Sequence, residues 1–382
     1  MSSYRSGSSR RRPPGRGVAR VGGGTPPRQG RTYGGRGNPR RPGSGAHLAV
    51  LVCLVLSVLA TLGGIGVWSY AKSLNDDLLR SNAFDGVTDR PENEGGLNIM
   101  VLGSDSRNPD STAGSRADTI MLMHVPSDRD KTYLVSLPRD LWVPIPAGDQ
   151  WGGGEAKLNA AVSYGGTPLM VQTVEDYTGV RIDHVVEIDF DGLKNVVNAL
   201  GGVSMNVQPA DDDSGQLTSI HTYKGQDGPR TWAAGPQDLD GESALDYVRQ
   251  RKQFNEGDFA RMRHQQQLLM AMLDKATSAG IITSPGAVRS FIGSVIDTVQ
   301  VDNDFDLLTT AEQLSGLRSQ DLVFITSPNL GSDVIGDQSV VVSDDVLAGS
   351  MYHAMSDDHM TSWVSKHPDV VKGGASDTGG GG

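Results

Sequence analysis

The chain has 382 residues, a formal net charge of −11 and one cysteine. A single cysteine excludes a disulfide framework and cysteine-based metal sites, and the length accommodates one large domain or two ordinary ones with appendages. The charge is divided: residues 1–47 hold eleven Arg and no Lys, Asp or Glu, leaving 23 basic against 45 acidic residues beyond them, about −22 there.

In chain order, residues 1–47 are rich in Gly, Pro, Ser and Arg with almost nothing to bury, and are expected to be a disordered basic cytoplasmic tail. Such a tail is attracted to anionic headgroups of the cytoplasmic membrane lipids. No nucleic acid is expected as a partner, because no aromatic platform or folded reader accompanies the charge. Residues 48–70 contain no charge over 23 positions, roughly 34 Å of helix against a hydrocarbon layer of about 30 Å. A transmembrane helix is predicted here, with Trp68 and Tyr70 at its distal interface. The preceding arginines place the N-terminus in the cytoplasm and everything after Tyr70 outside it, as a single-pass protein of the cell membrane. A cleaved signal peptide is the rival reading, but 47 residues are far too many for its basic region. Cys53 falls inside the span, so the exported part has no thiol chemistry. Residues 71–95 read as a polar stalk and 357–382, ending in GGASDTGGGG, as a flexible tail.

Between them lies a region of alternating elements, 96–356. LNIMVLG (97–103), TIMLMHV (119–125) and TYLVSL (132–137) are short apolar runs bounded by turn residues, as in buried strands. TPLMVQTVEDYTG (167–179) has helical spacing and a terminal Gly suited to a left-handed cap. HVVEIDF (184–190) reads as strand, FDGLKNVVNALGG (190–202) as helix and VSMNV (203–207) as strand. Helices are predicted over 287–299, 306–317 and 343–355, with the strand LVFIT at 322–326. Alternation of this kind predicts an α/β sheet with helices on both faces.

Charge collects at the strand ends. GSDSR (103–107) places Asp105 and Arg107 after the first strand, at the edge where open α/β sheets gather ligands. RADT (116–119) places Arg116 and Asp118 before the second. Two such carboxylates can share one hard cation, since Mg²⁺ is held by one or two carboxylates plus substrate phosphates. The alternative is a pair of loop aspartates bonded to nearby N–H groups or to Arg107 and Arg116. SLPRD (136–140) ends the third strand with Arg139 and Asp140 behind a Pro. Arg249, Arg251, Lys252, Arg261 and Arg263 then set five bases against Glu256 and Asp258 within residues 249–263. Guanidinium forks suit phosphate oxygens; the other reading is a solvated, ion-paired helix face. Gln265 lies one turn after Arg261, while Leu268, Leu269, Met272 and Leu273 read as helical core alone. No Walker A loop, HExxH or G-x-S-x-G occurs.

Together these segments resemble the LytR–CpsA–Psr family of cell-wall transferases. The ordered motifs are NIMVLGSDSR (98–107), RADT (116–119), SLPRD (136–140), KLNAAVSYGG (157–166), IDHVVEIDFDG (182–192), LGGV (200–203), LDGESALDYVRQRK (239–252) and GDFARMRHQQQ (257–267). The resemblance implies a three-layer α/β/α sandwich with a mixed central sheet, and a pocket that takes a polyprenyl tail and holds its pyrophosphate at the mouth. It implies that Asp105 and Asp118 ligate Mg²⁺ (or Mn²⁺) and, with Arg116, Arg139, Arg249 and Arg251, make up the catalytic set. Arg107, Lys157, Asn159, Arg261 and Gln265 would bind the pyrophosphate. The implied reaction transfers a glycopolymer from a polyprenyl-pyrophosphate carrier to a peptidoglycan hydroxyl during cell-wall assembly. A net polyprenyl-pyrophosphate hydrolase, and a non-catalytic membrane-anchored regulatory or wall-binding protein of the same fold, are the alternatives.

Overall fold

Strands that are apolar on both faces need cover on both sides, and the central strands of this chain meet that condition. The computed structural model describes residues 78–93, 95–104, 117–148, 150–212, 214–222, 228–278, 298–306 and 321–371, with isolated positions elsewhere. The predicted basic tail and membrane span lie outside the described residues, as does nearly all of the predicted helices 287–299 and 306–317. Among the described residues no helix is long and apolar enough to cross a membrane.

A seven-stranded mixed sheet forms the middle layer. Its strands are β1 (Leu79–Ser81), β2 (Leu97–Ser104), β3 (Ala117–Val125), β4 (Thr132–Leu137), β7 (His184–Asp189), β12 (Val299–Asp302) and β13 (Leu322–Thr326), in the order β1-β12-β7-β2-β3-β4-β13. β2 and β4 both run antiparallel to β3, so the end of β2, the start of β3 and the end of β4 share one edge. β7 runs parallel to β2 and brings Asp189 level with Ser104.

The period-2 alternation of the strands separates two cores. One face carries Ile99, Met121, Met123, Leu134 and Val186 and packs on three helices: α2 (Phe190–Ala199), α3 (Gly241–Val248) and α4 (Asp258–Ser278). Outside the sheet, β5 (Trp142–Ile145) pairs with β6 (Gly154–Lys157) and β9 (Gln216–Thr218) with β10 (Thr231–Ala233), while the hairpin of β8 (Val203–Val207) and β11 (Gly235–Leu239) covers the same side as these helices. The opposite face carries Met100, Leu122, Tyr133, Val135 and Val185 beneath α1 (Ala160–Thr178), α5 (Asp345–Ser356) and α6 (Met360–Lys366). Three layers, α/β/α, are the result.

The expected elements are present with informative shifts. α1 begins seven residues before the expected helix, because the chain passes through a kink at Gly165 and Gly166 instead of starting there; it ends at Gly179, left-handed at φ 68°. Asp189 caps α2, its carboxylate accepting from the Gly192 amide, and Asp240 caps α3 through the Ser243 amide.

Both ends of the domain differ from expectation. The segment read as a stalk contributes β1, which pairs parallel to β12, and its Arg90 forms an ion pair of 2.7 Å with the buried Glu175 of α1. The segment read as a tail from 357 continues into α6, whose Met360 and Trp363 are buried in the second core. Burial of a few apolar side chains in each outweighs their polar composition.

Two histidines lie deep in these cores. Burial holds His124 down at about 4 despite the nearby Asp358, and burial together with Arg263 holds His264 at about 3. Each folded value lies below the ordinary 6.5, so between pH 6.5 and those values the unfolded chain binds protons that the folded chain refuses. Stability from this source is complete above about pH 6.5 and is lost on acidification. The melting temperature is expected to fall from pH 7.5 to 5 by the equivalent of about 1–2 kcal/mol per histidine. His264→Phe should flatten part of that slope; an equal slope in the variant would show that His264 is not held neutral.

Candidate active site

The shared edge of β2, β3 and β4 is also where the sheet is irregular. Gly103 pairs with Thr119 but Ser104 pairs with Ala117, which leaves Asp118 as the extra residue of a β-bulge. A bulge re-aims a side chain, and here Asp118 and its neighbour Thr119 both line a cavity on the α2–α4 side of the sheet. Regular alternation would have sent one of them to the other face. Gly103 permits this geometry, because a Cβ there would meet the Thr119 Cβ at 2.9 Å.

The cavity has a volume of about 460 Å³. It follows the strands from Gly103 and Thr119 to Ile99 and Met123, about 13 Å at the rise of a strand. Val186, Leu134 and Val301 continue its apolar wall, and Leu268, Leu269 and Met272 of α4 close it from above. Their spacing predicts helical core alone; they do belong to the core, and they also line the cavity.

At the other end the lining becomes cationic. Arg139, Arg249, Arg251, Lys252 and Arg261 face the cavity together with Gln265, against the carboxylates of Asp118 and Asp189. Arg139 follows β4 in a turn closed by the Leu141 amide donating to the Pro138 carbonyl at 3.0 Å. α4 is fastened over it by Gln266, which donates to the Ser136 hydroxyl at 3.0 Å. Arg249 and Arg251 follow α3, which stops before them, and Arg249 lies over the Phe190 ring, 4.7 Å from its centroid.

Three carboxylates hold Arg139, Arg251 and Arg261 in place. Arg139 pairs with Asp118 and approaches Asp140 and Asp258 at 3.6 Å each. Arg261 reaches Asp258 at 2.9 Å and Asp118 at 3.8 Å, and donates to the Asp118 carbonyl at 3.2 Å. Arg251 meets Asp258 at 3.6 Å. Burial would lower the Arg139 value, but Asp258, Asp118 and Asp140 more than reverse it, and its net shift is upward. Arg261 is shifted downward, by burial first. Both remain charged at any physiological pH. His221, also at the mouth, is pushed down by burial first, with Arg249 and Lys252 adding to the shift and Asp246 opposing it.

The residues singled out from sequence separate into four groups. Asp118, Arg139, Arg249, Arg251, Arg261 and Gln265 converge on the mouth. Lys157 and Asn159 stand behind it: Lys157 pairs with Asp140 at 3.2 Å, and the backbone N–H of the buried Asn159 donates to the Arg139 carbonyl at 3.0 Å. Asp105, Arg107 and Arg116 lie outside the described residues. Arg263 turns away to Glu256. Sequence reasoning missed Asp258, counting it only as a counter-charge, although its place three residues before Arg261 on one helix was a readable sign of pairing.

No group of three or more metal-ligating side chains occurs among the described residues. Magnesium does not require one, since it binds one or two carboxylates with phosphate oxygens and water. The Asp118 carboxylate, 19% exposed and bulged into the mouth, offers a hard oxygen of the right kind.

An apolar cavity between sheet and helices that opens onto an arginine cluster marks the chain as an α/β/α domain with a pocket at one edge of its sheet. It belongs to the LytR–CpsA–Psr family: the profile of the LytR_cpsA_psr family matches residues 66–362. The chain is 38% identical over 221 residues to the probable cell wall biosynthesis protein LcpB of Corynebacterium glutamicum, a match covering 55% of this chain and 49% of that one. The chain thus spans about half the length of that relative. It is 29% identical over 310 residues to the polyisoprenyl-teichoic acid–peptidoglycan teichoic acid transferase TagU of Oceanobacillus iheyensis, covering 78% of this chain and 89% of that one. Among solved structures, TagV of Bacillus subtilis superposes with a TM-score of 0.53 at 26% identity, covering 70% of this chain and 98% of that one. TagT bound to LI-WTA superposes with a TM-score of 0.54 at 25% identity, covering 69% and 91%.

The bulge supplies a direct test. Gly103→Ala forces Thr119 to move and is expected to cost about 1–3 kcal/mol, as overpacking does, read from the denaturation midpoint. An unchanged midpoint would show that the bulge relaxes freely.

Proposed function

We propose that the chain is a Mg²⁺-dependent phosphotransferase that moves a glycopolymer from a polyprenyl-pyrophosphate carrier to a peptidoglycan hydroxyl. The observation that carries this reading is the direct junction of a long apolar cavity with an arginine-rich mouth. A polyprenyl chain matches the first and a diphosphate the second. The relatives named as teichoic acid transferases support the same class of reaction. The apolar span at 48–70 would tether the domain to the membrane that supplies the lipid, on its outer side.

In this reading the acceptor hydroxyl oxygen attacks the phosphorus that bears the glycan. The bond from that phosphorus to the oxygen bridging the two phosphates breaks, and the hydroxyl proton leaves to solvent. The products are a glycan phosphodiester on peptidoglycan and a polyprenyl monophosphate. Arg139, Arg251 and Arg261, which line the mouth, would receive the charge that builds on the departing phosphate. Arg249, braced on Phe190, and Gln265 orient the head group, and the cavity wall holds the tail so that the diphosphate stays at the mouth. Asp118, together with Asp105, would hold the magnesium ion, whose chemistry is to neutralise diphosphate charge.

The test uses the full chain in detergent with a polyprenyl-diphosphate-linked glycan, with and without peptidoglycan and Mg²⁺. Polyprenyl phosphate release that requires Mg²⁺, and glycan appearing on peptidoglycan, are expected. Arg251→Ala and Arg139→Ala should each lower kcat about 100-fold, in line with about 2–4 kcal/mol for a lost electrostatic donor. Release without transfer would make the protein a hydrolase. Bound lipid without release would make it a binder.

A further inference from the structure

We infer that Asp258 is a positioning residue that sets the spacing of the diphosphate-binding guanidinium groups; this rests on the phosphotransferase reading above. Asp258 opens α4 and does not itself line the cavity. Its carboxylate nevertheless reaches three arginines carried by three separate stretches of chain. Oδ2 meets Arg261 on the same helix at 2.9 Å, while Oδ1 lies 3.6 Å from both Arg139, behind β4, and Arg251, in the loop after α3.

An acidic residue in the first turn of a helix ordinarily serves the free amides there. Among the described contacts, Asp258 is bonded to a guanidinium and to no backbone amide. Its Oδ1 is buried and makes no hydrogen bond, and the same is true of the Nε atoms of Arg139 and Arg261. A separation of 3.6 Å is too long for a hydrogen bond yet within ion-pair range. The carboxylate therefore stands at the centre of a fan of like charges, attracting each without being committed to Arg139 or Arg251. Arg139 and Arg251, the groups held at that looser distance, both line the mouth.

Charge and position make different predictions for turnover. Asp258 lowers the positive potential of the mouth, so on charge alone its removal should tighten diphosphate binding and leave turnover unchanged. As a positioning residue, its removal should leave binding intact or tighter and cut turnover, because the fan no longer matches the transition state.

The experiment compares Asp258→Asn, Asp258→Glu and wild type as full chains in detergent, measuring kcat and KM for the polyprenyl-diphosphate donor, inorganic pyrophosphate affinity and the melting temperature. Asp258→Asn is expected to lose at least about 10-fold in kcat. Its KM and pyrophosphate affinity should be unchanged or tighter, and its melting temperature within a few degrees of wild type. Asp258→Glu should recover part of the lost turnover. An unchanged kcat in Asp258→Asn, or a loss matched by a fall in the folded fraction, overturns the inference. The side-chain Nε–H NMR signals of Arg139 and Arg261 provide an arm independent of turnover: dispersed in wild type, they should collapse toward the free-arginine position in Asp258→Asn. If wild type neither binds pyrophosphate nor turns over donor, the functional reading fails. The NMR arm still judges Asp258: signals that do not move refute its positioning role.

Discussion

Guanidinium groups repel one another, and gathering several at the rim of an apolar cavity is possible only where carboxylates are interleaved among them. Asp118, Asp140 and Asp258 supply that interleaving around Arg139 and Arg261. Each carboxylate is delivered by a different device: a bulge in β3, the turn after β4 and the first turn of α4. The cluster therefore depends on the sheet edge and the α4 helix being held in one relation, which the Gln266–Ser136 hydrogen bond and the shared apolar core secure. Arg139 and Arg261 each touch more than one of these carboxylates, so loss of a single one leaves neither without a counter-charge but changes how they are spaced.

The same elements shape the cavity. β2, β3 and β7 form its floor while α4 forms much of its roof, so the helix that presents Arg261 and Gln265 at the mouth presents Leu268, Leu269 and Met272 farther in. One helix thus sets both the depth available to an apolar chain and the position of its anionic end. The second core, under α1, α5 and α6, takes no part in the lining and acts as the rigid backing of the sheet. Lys157 and Asn159 belong to this support: they brace Asp140 and the Arg139 turn from behind.

Much was readable before any coordinates. β4, β8 and β13 begin and end where the apolar runs do, because those runs are bounded by residues that stop a strand. The Arg–Asp pairs at consecutive strand ends and the basic run after α3 were visible as charge in places where a fold gathers ligands. What escaped notice did so for physical reasons. β1 is three residues long and carries no periodicity of its own; it is a strand only because β12 lies beside it. α6 is polar in composition and is held by two buried side chains. Leu268 and Met272 have the spacing of any core-facing helix, and a sequence does not distinguish an apolar residue that meets another side chain from one that meets an empty cavity.

The linear sequence determined the alternation of strands and helices, the family, and the chemical types gathered at the site, because these follow from periodicity, turn residues and motifs a few residues long. Only the tertiary structure decided which charges share a site. The bulge that turns Asp118 to the cavity, and the meeting of Asp258 with arginines up to 119 positions away, depend on contacts between elements distant along the chain. Such contacts are set by packing geometry, which no local pattern of residues records.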